Sequence, residues 1–322
     1  MPNSDSRARF VAKLCLVLLP FVLFGGWLEL RLCDLPTSYS QKRMGFQKVA
    51  PRLRTLVLGA SEGLQGVDAS QLGQDAYNLA NVGQSLYYDR NLLAWALPQA
   101  PKLRRVLLCV SYQSLAYRLV GTAESWRAVA YFREFGVLPE EGLSGLDFRF
   151  ASAALFYEPY TALHWALTGQ GLSTPVLTPR GQDVLPCFSG DEVDVKVNIR
   201  TAAQRAATHE ALIHLDSVDA NLGELQIVSN LTKARGVTVS LFCPPVTLVY
   251  AQAINTARRT AMLARLKDFA AQQGLDLKDY FQDPRFDDND FFDVDHLCSE
   301  GSEKFSGILA HDFGLVGPGL VR

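Results

Sequence analysis

A serine between two glycines and a histidine preceded by aspartates are the residues of this sequence best suited to chemistry. Ser61 lies in Gly59-Ala60-Ser61-Glu62-Gly63, directly after an apolar segment. Asp293 lies three residues before His296, so one loop or helical turn can present both side chains. A carboxylate that holds one imidazole nitrogen leaves the other free to take a proton from a serine hydroxyl. Ser61 is therefore a candidate nucleophile, with His296 as base and Asp293 as orienting acid. The alternative for Ser61 is that small residues between a strand and a helix serve only close packing.

The acidic run from 287 to 296 has other interpretations. Asp295 is a second candidate for the orienting acid, but an immediate neighbour of the histidine usually points elsewhere. A solvated loop or a calcium loop is also compatible with the composition, although the run lacks the glycine and the closing glutamate of an EF-hand. Phe291, Phe292 and Leu297 indicate that the loop is tied to the core. We expect neither a metal nor another cofactor.

The elements around these residues alternate between strands and helices. Buried strands are predicted at 54–58, 75–80, 104–111 and 237–242, and helices at 85–97, 202–215, 219–234, 251–273 and about 302–313. Continuous apolar strands separated by helices imply a parallel sheet covered on both faces. The predicted fold is a three-layer α/β/α sandwich, and Ser61 follows the carboxyl end of its first strand, where open α/β sheets bind ligands.

The first 35 residues have the pattern of an export signal. Arg7, Arg9 and Lys13 precede an apolar run from Leu14 to Leu28, and no convincing cleavage site follows. We therefore expect an uncleaved signal anchor in the inner membrane, with the basic end cytoplasmic and residues from about 36 onward outside. A buried N-terminal helix of a cytosolic protein is the alternative.

Composition and cysteine spacing exclude several classes of function. The net charge of -2 gives no surface for nucleic acid, so we expect no nucleic-acid partner. The six cysteines show no metal-ligand spacing, and Cys109 and Cys243 lie in apolar segments as core residues. Export would permit Cys187 to pair with Cys298 or with Cys33, and the sequence does not choose between them.

The segment from about 121 to 194 departs from the strand and helix alternation and is rich in aromatic residues. These residues either line a cleft or rest on the membrane, or they simply pack the segment against the sheet. They are Trp126, Tyr131, Phe132, Phe135, Phe148, Phe150, Phe156, Tyr157, Tyr160 and Trp165.

Two serine-hydrolase architectures place a serine in such a motif. In an α/β-hydrolase several strands precede the nucleophile, but only about 20 residues separate the anchor from this strand, so those strands have no room. The second architecture is the SGNH, or GDSL-like, hydrolase superfamily, which this sequence resembles. Gly59-Ala60-Ser61 is similar to its first block, the segment from Asn78 to Ser85 to its second, and Asp293-Val294-Asp295-His296 to its last.

The resemblance covers roughly residues 53–120 and 219–313, and it implies an oxyanion hole made by the backbone amides of Ser61 and Gly83. The third block normally supplies an asparagine for that hole, but this chain has Ser111-Tyr112-Gln113 there. Either Gln113, Ser111 or a backbone amide substitutes, or the protein has lost hydrolysis and only binds.

The departure in the third block resembles a membrane-anchored branch of the superfamily. That branch includes the D-alanyl transfer protein of teichoic acid modification and the acetylation proteins of exopolysaccharides. The resemblance implies an acyltransferase or esterase acting on a cell-envelope or exopolysaccharide glycan, with an acyl donor and a membrane-bound O-acyltransferase as partner. The alternatives are a non-catalytic protein that binds polysaccharide or scaffolds an acylation complex, and a membrane-anchored lipase-like hydrolase.

Overall fold

The computed structural model describes residues 4–142, 150, 152, 159–171 and 176–315. Contacts divide the chain into two compact units. The smaller unit contains residues Met1–Thr37 and Gly142–Pro175, and the larger contains Ser38–Glu141 and Val176–Arg322. The predicted aromatic segment at 121–194 includes residues of both units.

The larger unit is built on one parallel sheet of five strands in the order β2-β1-β3-β4-β5. This is the flavodoxin-like strand order. Strand β2 lies on one side of β1 and β3 lies on the other, so the direction in which successive strands are added to the sheet reverses after β2. The strands are β1 (Thr55–Leu58), β2 (Ala76–Asn78), β3 (Arg105–Cys109), β4 (Thr238–Cys243) and β5 (Asp276–Asp279).

Alternate residues of the strands enter two different cores. Leu56 and Leu58 of β1 belong to one buried cluster, whereas Val57 belongs to another. Successive side chains of a strand point to opposite faces, so both faces of the sheet are covered. The predicted three-layer α/β/α fold with a central parallel sheet is therefore confirmed.

The helices largely follow the predicted pattern. They are α1 (Ser4–Cys33), α2 (Ser38–Val49), α3 (Ser61–Gly66), α4 (Leu86–Ala96), α5 (Arg127–Phe135), α6 (Pro159–Thr168), α7 (Asp191–Lys196), α8 (Ile199–Ala211), α9 (Val218–Lys233), α10 (Leu248–Ala253), α11 (Thr256–Gln273) and α12 (Ser299–Asp312).

Two local predictions were wrong. The single helix predicted over 251–273 is two helices, because Asn255 interrupts them and caps α11 by accepting a hydrogen bond from the backbone N–H of Arg258 (3.0 Å). Strand β5 lies in a segment that was not predicted as a strand. Its sequence is DLKD, and as an edge strand with exposed charges it lacks the apolar pattern of a buried strand.

The smaller unit contains α1 and α6. Residues Arg7–Cys33 of α1 form a helix long and apolar enough to cross a membrane, and the 18-residue window that meets this test is 0% buried. Membrane anchors and signal sequences share these properties. Leu32, Leu35, Ala162, Trp165 and Ala166 form a separate small core in this unit.

The aromatic residues of the 121–194 segment have several different environments. Tyr131 and Phe135 are buried in the main core of the larger unit, where the Tyr131 ring stacks on Tyr88 at 4.1 Å between centroids. Trp165 is buried in the core of the smaller unit. For Tyr131 and Phe135 the predicted packing against the sheet holds, whereas Trp165 packs within the smaller unit. Phe148, Phe156 and Tyr157 lie outside the described residues.

Candidate active site

Ser61 is placed by a tight connection between β1 and α3. Gly59 has φ +132°, and a Cβ built on it would lie 2.6 Å from the Cβ of Cys109 on the neighbouring strand. Only glycine fits this conformation and this close approach. Strand β1 therefore ends abruptly, and Ser61 begins α3 at the carboxyl edge of the sheet.

The structure brings Ser61, His296 and Asp293 into one hydrogen-bonded chain. The Ser61 hydroxyl lies 2.9 Å from Nε2 of His296. Nδ1 of His296 lies 3.0 and 2.9 Å from the two carboxylate oxygens of Asp293. In a Ser-His-Asp arrangement this order allows the imidazole to take the serine proton while the carboxylate holds the imidazole in place.

The loop that carries Asp293 and His296 is fixed at several points. Asp293 accepts hydrogen bonds from the backbone N–H groups of Asp295 (3.1 Å) and His296 (2.9 Å). The backbone N–H of Phe292 donates to the carbonyl of His296 (2.9 Å), which closes a tight turn around Asp293. Buried Phe291 and Leu297 tie this turn to the core, as predicted for the acidic run.

A disulfide joins Cys298, two residues after His296, to Cys187. Of the two pairings that export permits, the structure contains this one. Cys109 and Cys243 are buried thiols, in agreement with their prediction as core residues. The loop is thus attached covalently to a segment more than a hundred residues earlier in the chain.

The charges around His296 hold a proton on its ring. Burial by itself would lower the pKa of His296, but the carboxylates of Asp295 and Asp293 outweigh burial and raise this pKa to about 9. Burial works against the ionised form of Asp293 as well, and the hydrogen bond and charge of His296 overcome it, so the pKa of Asp293 lies well below its usual range.

Asp295 is not the carboxylate that bonds to the imidazole of His296. One of its oxygens lies 3.6 Å from Nδ1 of His296, beyond hydrogen-bond distance. Both of its oxygens instead accept from Nε of Arg205, at 2.9 and 3.0 Å. Burial raises the pKa of Asp295 to about 6, and the guanidinium of Arg205 opposes that rise.

Neither Arg205 nor His209 was predicted to lie at this site from the sequence. Both lie on α8, four residues apart, and therefore on one face of the helix. Helix α8 is fixed at its start by Asn198, which accepts a hydrogen bond from the backbone N–H of Thr201 (3.0 Å). Nη2 of Arg205 lies 3.3 Å from Nε2 of His296, and Nε2 of His209 lies 3.7 Å from Asp295. The four-residue spacing of Arg205 and His209 is a signal in the sequence that both side chains share one face of a helix.

Gly83 lies at the edge of the same site. Its φ is +64°, a left-handed conformation that favours glycine, and the Tyr117 hydroxyl donates a hydrogen bond to its carbonyl (3.3 Å). Gly83 and Ser61 both line a pocket of about 210 Å³ at this edge of the sheet. The two residues whose amides were predicted to hold an oxyanion therefore border one cavity.

Gln113 also lines the pocket, but its amide has another partner. Nε2 of Gln113 donates to Glu62 at 3.0 Å, and its Oε1 is buried with no hydrogen-bond partner among the described residues. The second oxygen of Glu62 lies 3.3 Å from the Ser61 hydroxyl. Burial opposes ionisation of Glu62, but the charges of His296 and Arg205 contribute to a lowered pKa, so this buried group is a carboxylate.

Three side chains of the loop could in principle hold a metal ion. The ligand atoms of Asp293, Asp295 and His296 lie within 4.8 Å of one another. Each is already engaged, since Asp293 and His296 bond to each other and Asp295 accepts both bonds from Arg205. The guanidinium therefore supplies the positive charge that a bound cation would otherwise supply to Asp295.

Comparisons with known proteins match this chain to solved structures alone. No protein-family model matches it, and no curated protein matches it. Among solved structures, a Bacteroides fragilis protein described as a candidate acylhydrolase aligns with 86% of this chain and 96% of its own length. The two chains are 11% identical and the TM-score is 0.41. At this level of similarity the match assigns no activity to the present chain.

Proposed function

We propose that this protein is a serine-dependent O-acyltransferase or carbohydrate esterase of the SGNH type. The observation that carries the proposal is the hydrogen-bonded chain Ser61–His296–Asp293 beside a pocket at the carboxyl edge of a parallel sheet. Its strand order and the position of the nucleophile after β1 support the same architecture.

In the proposed mechanism His296 deprotonates Ser61, which attacks the carbonyl carbon of an acyl donor. The backbone N–H groups of Ser61 and Gly83 hold the oxyanion. His296 then returns the proton to the leaving oxygen, and an acyl-serine remains. Water or a glycan hydroxyl attacks this intermediate, with His296 again as base, and Ser61 is released.

The proposed setting is the outer face of the inner membrane. Helix α1 serves as a single anchor, its basic end lies in the cytoplasm, and the larger unit lies outside, with a membrane-bound O-acyltransferase as partner and a cell-envelope or exopolysaccharide glycan as substrate. The Cys187–Cys298 disulfide supports an oxidising compartment, because such bonds are rare in the reducing cytosol.

The proposal is tested with p-nitrophenyl acetate and the full-length protein in detergent. We expect Ser61→Ala and His296→Ala each to lower the rate at least about a thousandfold, because nucleophile and base act as one unit. Ser70→Ala and His311→Ala, which change an exposed serine and an exposed histidine, are the matched controls and should keep the wild-type rate. Equal rates in all five proteins would contradict the serine mechanism.

Binding without turnover is a second candidate function. Glu62 favours it, because an ionised carboxylate 3.3 Å from the Ser61 hydroxyl opposes the negative charge that develops on an oxyanion. Gln113 favours it as well, since its amide is committed to Glu62 where an oxyanion donor is needed. A protein of this kind would bind an acetylated glycan with equal affinity before and after Ser61→Ala and would release no acetate.

A further inference from the structure

The guanidinium of Arg205 lies beside the reactive nitrogen of His296. Nη2 of Arg205 is 3.3 Å from Nε2 of His296, the same atom that lies 2.9 Å from the Ser61 hydroxyl. The two described hydrogen bonds of Nε go to Asp295, which is buried. Asp295 therefore fixes the guanidinium at Nε, while Nη2 lies beside His296.

Arg205 also has access to the substrate side. It lines the 210 Å³ pocket together with Ser61 and Gly83, and 32% of its side chain is exposed. A guanidinium carries five N–H donors in a rigid plane. The bonds to Asp295 and the contact with His296 leave donors of Arg205 for a molecule in the pocket.

The position of Arg205 next to Nε2 of His296 determines which atom of a substrate its N–H groups can reach. In a serine hydrolase Nε2 first takes the serine proton and then delivers it to the departing oxygen of the ester, so that oxygen must come within hydrogen-bond reach of Nε2. A donor 3.3 Å from Nε2 is therefore within reach of the leaving alcohol, whereas the amides of Ser61 and Gly83 serve the carbonyl oxygen.

We propose that Arg205 is a catalytic residue that donates a hydrogen bond to the alcohol oxygen of the substrate. The assignment rests on the proposed function. During acylation the bond between Ser61 Oγ and the acyl carbon forms, and the ester C–O bond breaks. Its electron pair goes to the departing oxygen, which takes the proton from His296, while Arg205 keeps its own proton and stabilises the developing negative charge.

Transfer to a glycan uses the same contacts in reverse. The incoming hydroxyl occupies the position of the departed alcohol, gives its proton to His296 and attacks the acyl carbon of Ser61. Arg205 orients this hydroxyl. The substrate class that needs such help is an ester of an aliphatic sugar hydroxyl, because an alkoxide is a far poorer leaving group than a nitrophenolate.

The experiment compares two acetate esters that differ in their leaving group. One is p-nitrophenyl acetate and the other is methyl 6-O-acetyl-glucoside, and kcat/KM is measured for the full-length wild type, Arg205→Gln, Arg205→Lys and Ser61→Ala. We expect Arg205→Gln to lose about 10- to 100-fold more rate on the sugar ester than on the phenyl ester, the range expected for one charged hydrogen bond. Arg205→Lys should recover part of that difference.

The ratio between the two esters separates catalysis from a structural role. A smaller fraction of folded, active protein lowers both rates by the same factor and cancels in the ratio. Arg200→Gln, on the same helix but exposed, is the matched control and should keep the wild-type ratio. An unchanged ratio in Arg205→Gln, with Ser61→Ala inactive, would overturn the role of Arg205 and leave the proposed function standing. Activity in Ser61→Ala equal to wild type would overturn the proposed function, and the role of Arg205 with it.

Discussion

At the scale of single residues, His296 is controlled by charges of both signs. Asp293 bonds its Nδ1, and Asp295 lies 3.6 Å from the same atom, while Arg205 lies 3.3 Å from Nε2. Carboxylates stabilise the protonated ring and the guanidinium destabilises it. The carboxylates prevail, and the pKa of His296 is about 9. The His296 ring is thus protonated at neutral pH.

This charge balance predicts the pH dependence of activity. In the proposed mechanism His296 must be neutral to accept the Ser61 proton, so kcat/KM for p-nitrophenyl acetate should rise with pH and level off above about 9. Asp295→Asn removes a charge that raises the pKa of His296 and frees Arg205 from its ion pair. Both effects move the rise in activity to lower pH.

The measurement is a pH profile of kcat/KM for wild type, Asp295→Asn and the control Asp288→Asn. Asp288 is exposed on the same loop and has no described contact with His296. A profile of Asp295→Asn that coincides with the wild-type profile would show that Asp295 does not act on the catalytic base.

At the scale of elements, the candidate site depends on the packing of the loop at 287–298 against α12. A Cβ added to Gly301 would lie 2.0 Å from the carbonyl oxygen of Asp290, which accepts the backbone N–H of Cys298 at 3.0 Å. The helix therefore touches the backbone of the loop that carries Asp293 and His296. The absence of a side chain at Gly301 permits this contact.

Gly301→Ala should consequently displace the loop. We expect the free energy of unfolding to fall by about 1–3 kcal/mol, the usual cost of overpacking, and the rate on p-nitrophenyl acetate to fall with it. Gly307→Ala on the same helix is the control, because a Cβ there meets nothing within 4 Å. It should raise stability by up to about 1 kcal/mol through helix propensity alone. Urea denaturation measures both, and equal stability of the two variants would contradict the packing argument.

At the scale of the whole molecule, the disulfide links distant parts of the chain at the site. Cys187 and Cys298 are separated by 111 residues, and the backbone N–H of Ser299 donates to the carbonyl of Leu185 (2.8 Å) beside them. The bond restricts the unfolded chain and holds the segment that follows His296.

Reduction of this bond should lower both stability and activity. We expect dithiothreitol, or Cys187→Ser, to lower the free energy of unfolding by about 2–4 kcal/mol. Cys15→Ser, which changes a free cysteine on α1, is the control and should behave as wild type before and after reduction. A melting temperature of the wild type that is insensitive to dithiothreitol would show that the disulfide does not stabilise the fold.

The sequence by itself determined the features that are local along the chain. Strands β1 to β4 and the α/β/α fold followed from short apolar runs separated by helices, and Asp293 and His296 were paired by their three-residue spacing. The end of β1 indicated that Ser61 lies at the edge of the sheet. Strand β5 was not predicted, because an edge strand with exposed charges has no apolar pattern.

Only the tertiary structure decided which distant residues meet. Arg205 reaches His296 across 91 positions of the chain, and Gln113 reaches Glu62 across 51. The choice of Cys187 for Cys298, and of Asp293 over Asp295, likewise depends on distances of a few ångströms in space. Residue periodicity indicates which face of an element is buried. Hydrogen bonds and ion pairs between elements depend on how those faces pack together, and the local spacing of residues does not determine that packing.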